Sequence, residues 1–320
     1  MASITCFGEA LIDMLAEPEG SYRPYAGGAP ANVAVAAAKL GMPSAFVGML
    51  AKDAFGDFLL QSLAAAGVST GYVQRTDAAN TALAFVSLDA HGERRFSFYR
   101  PPAADLLFRP EHFQQECFAA TAVLHVCSNS LTEEAIAAAT LEGLRRARSA
   151  GALLSFDLNY RPALWPTHAD ARPRLWSVLR EADLVKLSAS ELTYLAEAMG
   201  GEAAVIAALW KGRCQWLLVT DGAAPIHHHT RRSSGSLASF KVECVNSTGA
   251  GDAFVGGLLS WLVKNRVDAK GLAAFLADPK RMKECLRFAA AAGALAVTRH
   301  GAFEAMPSRA EVDAMLGRQA

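Results

Sequence analysis

The sequence predicts an α/β protein with a mostly parallel central sheet, covered by helices on both faces, and a small additional β-sheet. The first observation is that short apolar runs alternate with longer segments of helical periodicity along most of the chain. The second is that this alternation stops at about residues 80–104, where two strand-like runs follow each other directly. Because there is no internal repeat or long linker, we expect residues 1–320 to form one α/β domain.

The elements of the main domain follow from these patterns. The candidate strands are Ile4–Phe7, Ala45–Gly48, Val123–Cys127, Leu153–Phe156, Leu184–Leu187 and Trp216–Thr220. The candidate helices are Ala31–Leu40, Phe55–Ala66, Glu133–Ala150, Glu202–Trp210, Ala253–Lys264 and Lys280–Thr298. In sheets of this kind, ligands bind at the carboxyl ends of the strands.

The additional sheet is predicted from two segments, about 12–26 and 80–104. Leu83–Leu88 and Arg95–Arg100 are strand-like, and the turn-rich segment Asp89–Glu93 joins them as a hairpin. Leu11–Tyr25 contains Pro and Gly and is not helical. The two segments could form a lid over a binding site, or they could extend the edge of the main sheet.

The composition favours a soluble protein whose partners are small molecules. Hydrophobic residues make up 52% of the 320 residues, and 31 basic residues balance 31 acidic ones. A neutral chain has no global field to attract nucleic acid or an acidic membrane, so any phosphate site must be local. Six scattered cysteines, no evident signal peptide and no apolar run long enough to span a bilayer lead us to expect a cytoplasmic protein.

The segment Asn246–Phe254, with the sequence NSTGAGDAF, is the most informative stretch of the chain. It follows strand-like Leu237–Val245 and opens an apolar helix. Small residues at the start of a helix expose backbone N–H groups, which can bind an anion. Asp252 beside such a site could accept a proton from an attacking hydroxyl, or it could simply cap the helix.

Together with Gly27–Ala34 (GGAPANVA), this segment resembles the two signatures of the ribokinase/PfkB carbohydrate kinases. The motifs occur in the expected order, near opposite ends of the chain, and the resemblance covers essentially all of it. It implies a ribokinase-like three-layer α/β sandwich with a small β-sheet lid. It also implies ATP-dependent phosphorylation of a sugar hydroxyl.

The resemblance assigns roles to residues of both motifs. Asp252 becomes the general base, and Gly249, Ala250 and Gly251 form the anion hole for the migrating phosphoryl group. Sugar-binding residues are Gly28, Asn32 and Asp13, the last of which would hold sugar hydroxyls. Alternatively, Gly28 could form a turn before a helix, Asn32 could be a polar residue in the first turn of that helix, and Asp13 could be a solvated loop acid.

Two further segments are similar to bacterial fructokinases within this family, which makes fructose the expected substrate. Phe156–Trp165 places Asp157 and Arg161 at a strand end, where they could bind substrate or pair with each other. Phe98–Asp105 contains Arg100, which could reach the substrate from the lid or remain a solvated hairpin residue. Other sugar or nucleoside kinase activities stay open: 2-keto-3-deoxygluconate kinase, ribokinase or nucleoside kinase. A catalytically silent sugar-binding or scaffold protein is the alternative from another class.

The nucleotide side is assigned in the same way. Lys186–Glu191 resembles the segment that arranges Mg²⁺ through water, and Glu191 can equally pair with Ser188 in a helix cap. Thr220 and Gly222 would meet ATP phosphates. Relatives bind a monovalent cation near Asn246 and Thr248, which makes K⁺ a candidate activator beside ATP and Mg²⁺.

Two remaining expectations concern a histidine run and the oligomeric state. His227–His229 could suggest a metal site, but three adjacent histidines do not share one face, so we expect a solvated loop. Relatives often pair through the lid, so a homodimer is expected by analogy.

Overall fold

The structure is a computed structural model that describes residues 3–17, 20–88, 94–166 and 169–318. The strands are β1 (Ser3–Phe7), β2 (Leu11–Ala16), β3 (Tyr22–Gly27), β4 (Ser44–Ala51), β5 (Ser69–Thr76), β6 (Leu83–Leu88), β7 (Arg94–Tyr99), β8 (Thr121–Cys127), β9 (Leu153–Asp157), β10 (Leu184–Ser188), β11 (Trp216–Thr220), β12 (Ile226–Thr230) and β13 (Ser234–Leu237).

The helices are α1 (Ala29–Lys39), α2 (Ala54–Ala65), α3 (Glu116–Ala119), α4 (Glu134–Ser149), α5 (Arg172–Leu179), α6 (Ala189–Glu197), α7 (Glu202–Lys211), α8 (Ala250–Lys264), α9 (Leu272–Leu276), α10 (Pro279–Ala296) and α11 (Arg309–Gly317). Within the described residues, 3₁₀ turns cover Ala104–Leu107, Pro110–His112, Ser128–Leu131 and Pro162–Leu164.

The larger sheet has nine strands in the order β13-β12-β11-β10-β9-β8-β1-β4-β5. The seven strands from β11 to β5 run parallel, and β12 and β13 extend the sheet as antiparallel strands. Parallel neighbours end at the same edge of a sheet, so the residues after β1, β8, β9, β10 and β11 come together there.

Helices cover both faces of this sheet, and each face has its own apolar core. One core contains residues of α1, α8 and α10, and the other contains residues of α4, α5, α6 and α7. The central strands are buried on both faces, as parallel strands in such folds are. The fold class predicted from the sequence is therefore confirmed.

The smaller sheet has four strands in the order β3-β2-β6-β7. Strands β2 and β6 pair in parallel, while β3 and β7 pair antiparallel to them. The two segments that the sequence indicated thus form a sheet of their own, and the alternative of an edge extension was wrong. The predicted turn Asp89–Glu93 lies outside the described residues.

Two local predictions were wrong. Leu237–Val245 is not a strand beyond Leu237: alternating apolar residues mimic a strand there, but the segment has no ladder partner among the described residues. His227–His229 lies in β12, between β11 and β13, rather than in a loop. Its backbone is fixed by neighbouring strands, which the polar sequence does not indicate.

All six candidate strands and all six candidate helices of the main domain are present, with ends displaced by at most three residues. No single helix in the described part of the chain is long and apolar enough to cross a membrane. The bent pair α6 and α7, with 88° between its helices, meets the length and composition criteria together.

Candidate functional site

A cavity of about 610 Å³ lies where the strand ends of the larger sheet meet the smaller sheet and the first turns of α1 and α8. Most of the site residues expected from the sequence line it. They are Asp13, Gly28, Asn32, Asp157, Arg161, Lys186, Glu191, Thr220, Gly222, Thr248, Gly249, Gly251 and Asp252. Residues far apart in the chain therefore share one site.

Asp252 lies in the first turn of α8, and its carboxylate is held by Asn32 on α1. Asn32 Nδ2 donates a hydrogen bond to Asp252 Oδ2 at 2.7 Å. The N-cap of α8 is Gly249, in a left-handed conformation with φ 74°, and no side chain caps the helix. The interpretation of Asp252 as a helix cap was therefore wrong.

The pKa of the Asp252 carboxyl is raised to about 7, mainly because the cavity removes water from it. The Asn32 hydrogen bond lowers this pKa, the Asp157 charge raises it, and the Lys186 and Arg161 charges lower it. A carboxylate with such a pKa can take a proton from a hydroxyl near neutral pH.

Asp13 enters the same cavity from β2 of the smaller sheet. It is only 8% exposed, so the alternative of a solvated loop acid was wrong. Burial and the neighbouring Asp252 charge raise its pKa to about 7, while Arg161 lowers it. The two carboxyl groups thus face the same space and oppose each other's ionisation.

Gly27 and Gly28 are required by close approach at this point. A Cβ at Gly27 would lie 2.3 Å from Asp13 Oδ2, and one at Gly28 would lie 2.6 Å from the backbone oxygen of Glu9. Gly28 also has φ 108°, which L residues with side chains rarely adopt. The glycines make the turn into α1, as the alternative proposed, and Gly27 also makes room for Asp13.

Asp157 pairs with Lys186 rather than with Arg161. Lys186 Nζ lies 3.1 and 3.0 Å from the two Asp157 carboxylate oxygens, and both side chains are buried. The proposed Asp157–Arg161 scaffold pair was wrong, because β9 and β10 are adjacent strands and bring Lys186 to Asp157. Arg161 instead extends, exposed, along the cavity wall.

Lys186 also approaches the segment that the sequence predicts as an anion hole. A Cβ placed on Gly251 would lie 3.2 Å from Lys186 Nζ, so the ammonium group is next to the start of α8. The positive end of the helix and a buried ammonium group therefore act on the same space. Ala250, the remaining residue of the predicted hole, begins α8 but does not line the cavity.

Both sequence interpretations of Arg100, as a residue that reaches the substrate and as a solvated hairpin residue, were wrong. It is 2% exposed, so it is not solvated, and it does not line the cavity. Its Nε and Nη2 bind Asp105 Oδ2 at 2.9 and 2.5 Å, and Nη2 also donates to the backbone oxygen of Asn129 at 2.8 Å. This buried ion pair directs the guanidinium away from substrate-binding distance and into the protein.

Glu191 forms the capping box at the start of α6. Its Oε2 accepts from Ser188 N at 2.7 Å, Ser188 Oγ accepts from Glu191 N at 3.2 Å, and Glu191 Oε1 accepts from Tyr160 N at 2.8 Å. The capping interpretation is confirmed. Burial is the main cause that raises the pKa of this carboxyl, against the lowering effect of Lys186.

The remaining predicted residues are those expected from the sequence to bind ATP phosphates and a monovalent cation. Thr220 ends β11, and Gly222 follows in a left-handed conformation, where an added Cβ would meet no atom within 4 Å. Asn246 is buried, does not line the cavity, and its Oδ1 accepts from Thr248 N at 2.8 Å. The Asn246 side chain therefore binds the backbone of its own loop.

Among the cavity residues that the sequence did not assign to the site are two buried polar ones, Glu9 and Asn129. Glu9 follows β1 and Asn129 follows β8, and both are at least 95% buried. Their place directly after apolar strands was the available signal, since strand ends of this edge carry the other site residues.

Volume alone does not identify the site. An open groove of about 940 Å³ is lined by residues such as Trp176, Met199 and Lys211, and it contains none of the site residues expected from the sequence. The smaller cavity is distinguished by its convergent carboxyl groups, their raised pKa values and the helix start beside them.

Comparison with known proteins agrees with this geometry. Residues 1–309 match the pfkB family of carbohydrate kinases. Fructokinase-1 of Zea mays is 42% identical over 316 residues, which is 97% of this chain and 96% of that protein.

Among solved structures, the fructokinase from Xylella fastidiosa with bound ATP is 56% identical, with a TM-score of 0.97 over 99% of this chain and 98% of that one. The fructokinase from Vibrio cholerae O395 in fructose, ADP and calcium ion bound form is 31% identical, with a TM-score of 0.86 over 99% of both chains.

Proposed function

Because the chain belongs to the pfkB family of carbohydrate kinases, we propose that it is a fructokinase, which transfers the ATP γ-phosphoryl group to fructose and gives fructose 6-phosphate. The observation that carries the proposal is the Asp252 carboxylate, held by Asn32 beside the start of α8 in a cavity that Asp13 also enters. The named relatives that bind ATP or fructose support it.

In the proposed reaction, the sugar hydroxyl loses its proton to Asp252 as its oxygen attacks the γ-phosphorus. The new O–P bond forms while the bond between the γ-phosphorus and the bridging oxygen of ADP breaks. Backbone N–H groups at Gly249–Asp252 and the Lys186 ammonium stabilise the negative charge on the moving group. Asp252 then releases its proton to solvent.

Asp13, Asn32 and Gly28 are proposed to bind the sugar. Asp13 can accept hydrogen bonds from two adjacent hydroxyls. Asn32 Oδ1 is buried and has no hydrogen-bond partner among the described residues, so it suits a hydroxyl donor. A carboxylated sugar would be repelled by Asp13 unless the exposed Arg161 compensated, which is why a neutral sugar is favoured.

Thr220, Gly222, Lys186 and Glu191 are proposed to serve ATP and Mg²⁺. No group of three metal-ligating side chains occurs in the described ranges, and both Glu191 oxygens already accept backbone hydrogen bonds. This suits Mg²⁺, which keeps several waters and binds mainly through substrate phosphates. When bound, it would neutralise phosphate charge, and Glu191 would act on it through water.

K⁺ is proposed as an activator bound near Asn246 and Thr248. A carbonyl oxygen has two lone pairs, so Asn246 Oδ1 could still ligate while it accepts from Thr248 N. Rates in K⁺ and in a bulky organic cation at equal ionic strength test this. Equal rates would contradict it.

The smaller sheet is proposed to act as a lid and as the surface through which a homodimer forms. Lid closure would exclude water, which otherwise competes with the sugar as phosphoryl acceptor. Apart from a second copy of the chain, the proposed partners are the sugar and ATP, with no nucleic acid or membrane, and the proposed compartment is the cytoplasm.

A substrate panel tests the function. ADP formation is measured with fructose, ribose, 2-keto-3-deoxygluconate and nucleosides, and kcat/KM is expected to be highest for fructose. A preference for 2-keto-3-deoxygluconate would overturn the fructose assignment and would point to Arg161 as a carboxylate ligand. An absence of ADP formation with every sugar would indicate a catalytically silent protein.

A further inference from the structure

Asn129 lies at the carboxyl end of β8, in the 3₁₀ turn Ser128–Leu131, and it lines the cavity. The residue is 5% exposed. Asn129 lies outside both sequence signatures, and its side chain takes no part in the proposed phosphoryl transfer. The NH₂ group and the oxygen of a buried amide both need hydrogen-bond partners.

Glu9 fixes which way the Asn129 amide points. Asn129 Nδ2 donates to Glu9 Oε1 at 2.8 Å, and Ala29 N donates to the same oxygen at 3.1 Å. A carboxylate oxygen accepts hydrogen bonds and donates none, so it faces the NH₂ side of the amide. The amide oxygen is thereby directed away from Glu9, and Oδ1 has no hydrogen-bond partner among the described residues.

The backbone of Asn129 is fixed as well. Its carbonyl oxygen accepts from Arg100 Nη2 at 2.8 Å and from Thr132 Oγ1 at 3.3 Å, and Asp105 holds the Arg100 guanidinium. The turn is therefore held in place before any ligand binds, so little ordering is needed on binding. Arg100, which the sequence assigned to the substrate, acts on this turn instead.

The arrangement repeats the one around the proposed base. Asn32 donates through Nδ2 to the Asp252 carboxylate and leaves its own Oδ1 without a partner among the described residues. Asn129 does the same with Glu9. Glu9 differs because it is 1% exposed and already accepts three donors, those of Ala29, Asn129 and Cys127, so it is not a second base.

We propose that Asn129 Oδ1 accepts a hydrogen bond from one hydroxyl of the bound sugar, and that Glu9 is the positioning residue that aims it. Ala29, the first residue of α1, links the pair to the neighbouring Gly28, because its N–H binds the same Glu9 oxygen as Asn129 does. A sugar without that hydroxyl would leave a buried acceptor unpaired, which a site of this kind rejects. Asn129 thus contributes to substrate choice. The inference rests on the proposed sugar kinase function.

The test combines one change in the enzyme with one change in the substrate and compares their separate and joint effects on kcat/KM. Wild type and Asn129→Ala are assayed for kcat/KM with fructose and with a series of monodeoxyfructoses, each lacking one hydroxyl other than the phosphoryl acceptor. For one analogue, wild type should lose roughly 10–100-fold relative to fructose, whereas Asn129→Ala should lose far less. The KM for ATP should stay unchanged in the variant.

Ser130→Ala is the matched control. Ser130 is the next residue, is 1% exposed, has an unpartnered Oγ among the described residues and does not line the cavity. It should reproduce the wild-type pattern across the whole series. Equal penalties for every analogue in wild type and Asn129→Ala would overturn the role of Asn129.

Glu9 is tested by rescue. Glu9→Ala should flatten the discrimination between fructose and the critical analogue, and Glu9→Gln, which keeps an acceptor for Asn129 and Ala29, should restore it. Discrimination that stays at the wild-type level in Glu9→Ala would overturn the positioning role. If wild type prefers another sugar, the fructokinase proposal fails, and deoxy analogues of that sugar carry out the same test of Asn129.

Discussion

At the scale of single residues, the site is governed by two carboxyl groups that cannot both ionise at low cost. Asp13 and Asp252 each have a pKa raised to about 7, chiefly by burial, and the Asp252 charge raises the Asp13 pKa further. Asp13 comes from β2 of the smaller sheet and Asp252 from helix α8, and Asn32 holds the Asp252 carboxylate. A bound polyol can satisfy both by placing its hydroxyl groups between them.

The pH dependence of kcat/KM follows from the Asp252 pKa. A general base works in its deprotonated form, so kcat/KM should fall about tenfold per pH unit below about pH 7 and level off above it. Asp13→Asn removes a neighbouring carboxyl group and should move the midpoint to lower pH. A profile that stays flat from pH 8 to pH 5 would show that neither carboxyl controls the reaction.

The sequence indicated the residue types at the site better than their partners. Asp252, Asn32 and Asp13 lie in the cavity as the motifs suggested. Lys186 became the partner of Asp157 because β9 and β10 are neighbours, and strand order is not written in local sequence. Arg100 was misassigned for the same reason: its partners Asp105 and Asn129 meet only in the folded chain.

At the scale of elements, the hydrogen bond between Asn32 and Asp252 depends on how closely α1 and α8 approach each other. Gly256 lies on the buried face of α8, and a Cβ there would come within 2.5 Å of Ala36 Cβ and 3.2 Å of the Val33 carbonyl oxygen. The missing side chain lets the two helices touch. Asn32 on α1 can therefore reach Asp252 on α8.

Gly256→Ala should accordingly affect both stability and turnover. Forcing the helices apart should lower the free energy of unfolding by about 1–3 kcal/mol. It should also reduce kcat by weakening the Asn32–Asp252 contact. Denaturant unfolding and initial rates measure the two effects, and Gly317→Ala, which meets no atom within 4 Å, is the control. If Gly256→Ala behaves like Gly317→Ala, the close approach is unimportant.

Elements with strong periodicity were predictable, and those defined by their neighbours were not. Strand β4, buried along its whole length, and the long helices α4 and α10 have patterns that specify them. Strand β12 contains three consecutive histidines, and only pairing with β11 and β13 makes it a strand. Alternating apolar residues in 238–245 imitate a strand where the described residues offer no partner.

At the scale of the whole molecule, both sheets and their helices contribute residues to the site. The larger sheet and its helices supply Asp252, Lys186 and Asn32, and the smaller sheet supplies Asp13. The proposed lid thus carries part of the substrate site. Its aromatic residues form a chain of edge contacts, Tyr22 with Phe85 at 5.1 Å and Phe85 with Tyr99 at 5.3 Å.

This aromatic chain is the feature that favours pairing through the smaller sheet. Tyr99 is 67% exposed and Tyr22 is 42% exposed, and both contact Phe85, so they form a contiguous aromatic surface of the kind that marks interaction sites. Tyr99→Glu should shift the protein from dimer to monomer in analytical ultracentrifugation. Phe58→Glu, at an exposed apolar residue of α2, should not. A wild-type protein that is monomeric at micromolar concentration would contradict pairing through this sheet.

Asp252 is proposed to remove the proton from a fructose hydroxyl during phosphoryl transfer, and the whole reaction depends on this step. The most direct measurement follows product formation by ³¹P NMR with ATP and fructose, for wild type and for Asp252→Asn. Wild type should give fructose 6-phosphate and ADP in equal amounts. The variant should still bind ATP but form product roughly 10²–10⁴-fold more slowly. Near-normal product formation by Asp252→Asn would contradict the account.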